Sequence, residues 1–159
     1  MSILNRREFG FTLAASAGLG LVSSQLASVL EEGSKGTLTD VGGIKVGHFT
    51  DSRRPTGCTA ILFEGEATVG VDYDGSAPGD HLGVMLQPVS PIDTVHGIML
   101  AGAGPLGLAA VQGMERYLEE RKQGFDWGIP NFRVPIVVGA VIDDLALGDA
   151  RIRPGSEEG

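Results

Sequence analysis

The sequence predicts a layered α+β fold, and three observations predict it. Short apolar, β-branched runs recur between Gly- and Pro-rich breaks, as strands do. One stretch, near residues 110–119, repeats its apolar residues at 3.6 positions instead of two. A further strand-like run follows that helix, and a mixture of this kind packs as an α+β or an α/β layer structure.

The first 27 residues read as an address. Arg6-Arg7, with Phe9 two positions on, opens a mildly apolar run from Phe9 to Val22. That is the pattern of a twin-arginine export signal. The run has 14 residues, whereas a bilayer crossing needs about 20. Gly10 and Phe11 stand where such signals usually carry Leu and Lys. Val22-Ser23-Ser24 and Gln25-Leu26-Ala27 are the candidate cleavage patterns, and a buried or amphipathic N-terminal helix is the plain alternative. The expected location is periplasmic or secreted, with no stable membrane span once the signal is removed. Residues 28–37 read as a polar linker, and 38–159 as part of one domain.

Within that domain, Thr39 to Val41 and Ile44 to His48 read as short strands around the Gly42-Gly43 turn. Asp51 to Thr56 is a charged loop. Cys58 to Phe63 and Ala67 to Asp72 are expected as two strands separated by a turn at Glu64-Gly65. Asp74 to Asp80 is a Gly/Pro loop, Val95 to Leu100 a strong strand, and Gly102 to Gly107 its break. Ala110, Val111, Met114, Tyr117 and Leu118 form the apolar stripe of a helix, with Gly124 placed to end it in a left-handed residue. Val134 to Ile142 is the last strand, stopped by Asp143-Asp144, and Arg151 to Gly159 has no apolar pattern.

Composition narrows the function classes. Gly occupies 25 of 159 positions without a strict period, while 42% of residues are hydrophobic, so the chain is globular and rich in loops. A net charge of −8 with no basic stripe argues against nucleic-acid binding. The single Cys58 cannot form an intrachain disulfide, and His48, His81 and His96 lack ligand spacing, so no metal is expected.

Two motifs invite a sharper reading. Gly102-Ala103-Gly104-Pro105-Leu106-Gly107 satisfies the dinucleotide-binding fingerprint, which would make this an oxidoreductase. The fingerprint also needs a strand ending in an acid about 20 residues on, where the sequence has the turn-like Gly124-Phe125-Asp126-Trp127-Gly128. Close strand–helix packing is the alternative use of those glycines. Gly57-Cys58 could mark a cleavage that frees a Cys nucleophile, against the plainer reading of a small buried strand residue. Gly155-Ser156 is weaker for that role, because Glu157-Glu158-Gly159 cannot be a buried strand.

The order of segments resembles one family. Thr39-Asp40-Val41-Gly42-Gly43-Ile44-Lys45-Val46-Gly47-His48 comes first, then Thr56-Gly57-Cys58-Thr59. Gly70-Val71-Asp72 with Ala77-Pro78-Gly79 follows, then the glycine-rich stretch from His96 to Leu108. Val134-Pro135-Ile136 through Asp144-Leu145, and Arg153-Pro154, complete it. Together these resemble the N-terminal part of the L-aminopeptidase/D-esterase family, the DmpA-like peptidases related to nylon-oligomer hydrolases. The resemblance implies a four-layer αββα sandwich and a precursor that cuts itself. The new N-terminal Ser or Thr of the second piece then attacks peptide, amide or ester bonds, without metal or cofactor, in an enzyme of several identical copies.

The resemblance also implies that the nucleophile, with its assisting Lys and Asn, lies in polypeptide outside these residues, so this piece alone is expected to be inactive. Asp143 is the position to inspect. Relatives tend to carry an aromatic there, often a Tyr that helps stabilise the oxyanion, whereas an ionised Asp would repel it. A solvated loop acid is the plain alternative. Gly104 and Pro105 replace a small hydroxyl-bearing residue of the family's loop, so no catalytic residue carries over. A non-catalytic exported binding module of the same fold is the rival expectation.

Overall fold

The computed structural model describes residues 36–75 and 79–159. The export-signal residues Arg6, Arg7 and Phe9, and Ala77-Pro78 of the resembling segment, lie outside them. Five strands form one mixed sheet: β1 (Ile44–Asp51), β2 (Thr56–Ala67), β3 (Asp80–His81), β4 (Val95–Ala101) and β5 (Val137–Val141), in the order β1-β2-β4-β5-β3. β1–β2, β2–β4 and β3–β5 pair antiparallel, whereas β4 and β5 run parallel. A parallel pair needs a crossover, and here it contains the helix α1 (Ala109–Glu120).

Register explains which residues α1 covers. Cys58 pairs with Ala101, Ala60 with Met99, and Met99 with Gly139, so alternate residues of β2, β4 and β5 point to one face. On that face Cys58, Met99, Ala101 and Val137 pack with Ala110, Val111, Met114 and Leu118 of the helix. Gly97 lies beneath the Met114 thioether, where a Cβ would collide with it. The opposite face is half covered. Val95, Ile136 and Val138 pack there with Met85, Leu86, Ile92 and Phe125. Towards the C-terminal end of β4, Leu100 stays 40% exposed and Ile142, just past β5, 71%.

Several sequence expectations need correction. Leu38–Asp40 is a turn of 3-10 helix and not a strand. The Asp40 carboxylate accepts the Thr37 N–H (2.6 Å), an acidic cap that curls the segment. Glu64-Gly65 is not a turn, because β2 continues through it to Ala67. Its register against β4 shifts between Leu62 and Ala67, so Gly65 sits in a bulge, and residues 68–72 are not a strand. Val134 lies outside β5 and forms an isolated bridge with Phe125.

The helix also ends differently. Lys122 takes the left-handed conformation (φ 55°), and Gly124 is instead required because a Cβ there would strike the Val134–Pro135 backbone. Tyr117 is not part of the buried stripe. It is 42% exposed, with the Arg121 guanidinium 3.5 Å from its ring centre. The polar segment from Arg151 is packed despite its composition: Pro154 is fully buried, and Ser156 and Gly159 press their backbone against Gly113 of α1. Among the described residues no helix is long and apolar enough to cross a membrane.

Candidate active site

The β1–β2 turn carries two adjacent arginines with opposite fates. Arg53 folds back onto Asp51, whose carboxylate accepts the Arg53 Nε (2.9 Å), Nη2 (2.6 Å) and backbone N–H (2.9 Å). The Arg53 side chain, then its backbone N–H, hold the Asp51 carboxyl down to about 2. Arg54 turns inward, and its side chain is fully buried. Its Nε donates to Leu147 O (2.6 Å), Nη1 to Ile152 O (2.9 Å) and Nη2 to Asp144 Oδ1 (2.5 Å), with a further short contact to Asp144 O. One guanidinium thus fixes the loop after β5, which has no regular structure of its own.

Asp144 joins that loop to the glycine-rich one. Its Oδ1 also accepts the Ala103 N–H (2.8 Å), and Oδ2 lies against Gly102 together with the buried Thr56 hydroxyl. Burial pushes the Asp144 carboxyl up, but the Ala103 N–H, the Thr56 hydroxyl and Arg54 outweigh it and hold it below the ordinary value of 3.8. Gly102 has no room for a Cβ because these oxygens occupy the space. The loop bends through two left-handed residues, Ala103 (φ 69°) and Gly104 (φ 53°).

This geometry decides the glycine fingerprint. Gly102 N–H donates to Gly57 O (2.9 Å), Ala103 N–H to Asp144, and Gly104 N–H to Ile142 O (3.0 Å). A phosphate cradle requires those donors to be free, and here they are spent. A turn of 3-10 helix, Gly104–Leu108, also separates the loop from α1. Gly107 serves close packing, since a Cβ there would collide with the Gly102 carbonyl. The anion at this glycine loop is the protein's own Asp144, and the dinucleotide reading is set aside.

An open depression of about 530 Å³ lies beside this network, lined by His48, Thr56, Thr59, Leu100, Gly102 and Ile142 among others. His48 Nδ1 and Thr59 Oγ1 share a hydrogen bond of 2.9 Å across the β1–β2 ladder. Asp143 stands next to Gly104 but is exposed, and its Oδ1 accepts the Leu145 N–H (3.3 Å) of its own turn. The inspected position is therefore close to the loop, with its carboxylate in water.

Cys58 is not a freed nucleophile. It sits within β2, is buried, donates its S–H to Glu158 O (3.2 Å), and has its thiol pushed up by burial. The three histidines stay apart, on β1, β3 and β4. His96 is buried and its Nδ1 accepts the Ile136 N–H (3.3 Å), so burial pushes its pKa down. Among the described residues no group of three or more His, Cys, Asp or Glu could hold a metal. Sequence reasoning missed Arg54, Thr56 and Asp144, because nothing local tells a buried turn arginine from the exposed one before it.

A model of peptidase family S58 matches residues 36–156. The chain belongs to this family. The match spans the same ordered segments that resembled the L-aminopeptidase/D-esterase family, and the two agree. Proteins called uncharacterized aminopeptidases in Mycobacterium tuberculosis (strain H37Rv) and Mycobacterium bovis are each 39% identical over 133 residues, covering 77% of this chain and 38% of the relative. One of the same description in Mycobacterium leprae is 36% identical, covering 77% of this chain and 36% of that relative. The chain thus spans under two fifths of the length of these relatives, and it matches a peptidase family over most of its own.

Proposed function

We propose that this chain is the N-terminal part of an exported, self-processing aminopeptidase or amidohydrolase. Its nucleophile would be a Ser or Thr supplied by polypeptide outside these residues. Membership of family S58 is the observation that carries the reading. The relatives' description as aminopeptidases, and the small share of their length matched here, favour it further.

On this reading the sheet with α1 is one αβ half of a four-layer sandwich. The half-open face, with Leu100 and Ile142 exposed, is where a second sheet would pack at about 10 Å. The depression would then lie between layers. There the incoming hydroxyl would attack an amide or ester carbonyl, passing its proton to the free α-amine of the same residue. That amine would return the proton to the leaving group, and water would release the acyl enzyme. The part described here would supply walls: the Thr56–Thr59 floor and the Gly102 rim. Substrates would be small peptides, amides or esters, handled by an enzyme of several identical copies.

The test is expression of the gene with its downstream sequence. Mass spectrometry should find two fragments, the second beginning with Ser or Thr, and the product should hydrolyse amino-acid p-nitroanilides. This chain alone should not; turnover by it would overturn the placement of the nucleophile. One observation favours the non-catalytic binding module instead, namely Asp143 where an aromatic is expected. An uncut, inactive full-length product would establish that reading. Export is tested by changing Arg6 and Arg7 to Lys, which should leave the product in the cytoplasm; unchanged export would refute it.

A further inference from the structure

We infer that Arg54 and Asp144 are positioning residues that set the rim of the depression, with Asp144 anchoring the left-handed bend at Ala103 and Arg54 anchoring Asp144. What the rim serves rests on the hydrolase reading; the positioning itself rests on geometry. A non-glycine residue with positive φ persists only where its surroundings over-determine it. Ala103 (φ 69°) has that support from full burial, from the backbone bonds of Gly102 and Gly104 on either side, and from its own N–H to Asp144 Oδ1 at 2.8 Å, the contact a side-chain change can remove.

The bend in turn places two depression residues. Gly102, just before it, is pinned by its N–H to Gly57 O (2.9 Å). Gly104, just after it, holds Ile142 by donating its N–H to Ile142 O (3.0 Å), while Ile142 N–H donates to Ala101 O (2.8 Å). Asp144 could rotate if it were held by Ala103 alone. The buried Arg54 prevents this by gripping both the carboxylate and the main-chain carbonyl of Asp144. A planar fork that binds three carbonyls and a carboxylate cannot be reproduced by an ammonium. Arg54 acts on Asp144 from the β1–β2 turn, Asp143 adjoins it in the chain, and the charge of Asp149 reaches Arg54.

Hydrogen exchange and amide shifts of the ¹⁵N-labelled chain test this. In the unmodified chain the Ala103 amide should follow a titration below the ordinary carboxylate value of 3.8, reporting Asp144. Asp144→Asn should abolish that titration. Asp144→Asn and Arg54→Lys should each lower protection at Ala103 and Gly104 by about tenfold or more beyond the loss at Ala60 and Met99 in the sheet, which report the global loss of stability. An Ala103 amide in the unmodified chain that exchanges as fast as an exposed loop amide overturns the inference, even if a variant fails to fold. So does a loss of protection spread evenly over the sheet, which would mark a purely structural pair. In the extended gene product Asp144→Asn should lower kcat about tenfold with KM within about twofold; an unchanged kcat overturns the role at the rim. Absence of turnover in the unmodified extended product would sink the hydrolase reading instead, and leave the amide result standing.

Discussion

Arg53 and Arg54 are adjacent, identical in type and both ion-paired, yet the structure gives them very different weight. Arg54→Ala removes a guanidinium whose side chain is fully buried and whose partner Asp144 is 12% exposed. It leaves the Asp144, Leu147 and Ile152 carbonyls without their donor and the largely buried Asp144 carboxylate without its counter-ion. Breaking a buried pair by removing one member costs about 3–5 kcal/mol, a large part of a total stability of about 5–15 kcal/mol. With a urea dependence of about 1.5 kcal/mol per molar, the unfolding midpoint should fall by about 2–3 M. Arg53→Ala removes a side chain that is 69% exposed, and its midpoint should move by less than about 0.5 M. Urea unfolding followed by circular dichroism measures both. Equal midpoints for the two variants would refute the reasoning, as would a fall below about 0.5 M for Arg54→Ala. Replacing both Arg54 and Asp144 by apolar residues of similar size should recover only part of the loss, because the three main-chain carbonyls at positions 144, 147 and 152 remain unpaired.

Leu118→Ala empties a fully buried position between α1 and the sheet and should cost about 2–5 kcal/mol by the same assay; a smaller loss would mean the helix is not seated as described. Gly107→Ala forces a Cβ onto the Gly102 carbonyl and should cost about 1–3 kcal/mol, whereas a tolerated Ala would contradict the packing role of that glycine. His96 should make stability fall in acid. Burial lowers its folded pKa below 6.5, so the neutral ring's contribution is complete above 6.5 and is lost as pH falls through the folded value. His96→Gln should flatten the difference in urea midpoint between pH 7 and pH 5, and an undiminished difference would assign it to other groups. Asp143→Asn should leave the midpoint within about 0.3 M, and turnover of the extended product unchanged, because that carboxylate faces water; a tenfold change in kcat would place it in the chemistry.

What the sequence made legible follows from how local each signal is. The apolar period of α1 and the β-branched runs of β2, β4 and β5 are set by neighbours three or four, or two, positions apart, and the structure has all four elements. Errors arose where a distant residue decides. Gly65 was expected to turn the chain, as an isolated glycine between two apolar runs commonly does; pairing with β4 makes it a bulge instead. Gly124 was expected to cap the helix, but its missing Cβ makes room for Val134, ten residues on. Tyr117 fits the apolar stripe by spacing and lies outside it because α1 does not extend over β1. The site was less legible still. Its central bond joins residue 54 to residue 144, 90 positions apart, and no pattern within the turn distinguishes Arg54 from Arg53.

The glycine-rich loop shows why such a motif cannot be assigned by its spacing. Glycines at 102, 104 and 107 satisfy the same steric demands whether the anion they face is a phosphate or a carboxylate of the same chain. A dinucleotide site would leave the loop N–H groups free for ligand, whereas here Gly102, Ala103 and Gly104 donate to Gly57, Asp144 and Ile142. An internal anion changes what the loop can do. It no longer binds, so its effect on chemistry must pass through position, and the residues it positions are those bordering the depression. That depression lies at the end of the sheet face that stays open, with Leu100 and Ile142 exposed, while the other end is covered by residues near 85–95 and 125–136. The rim held by Arg54 and Asp144 and the uncovered apolar face therefore coincide at one end of the sheet, and on the proposed reading this is where a second layer would pack.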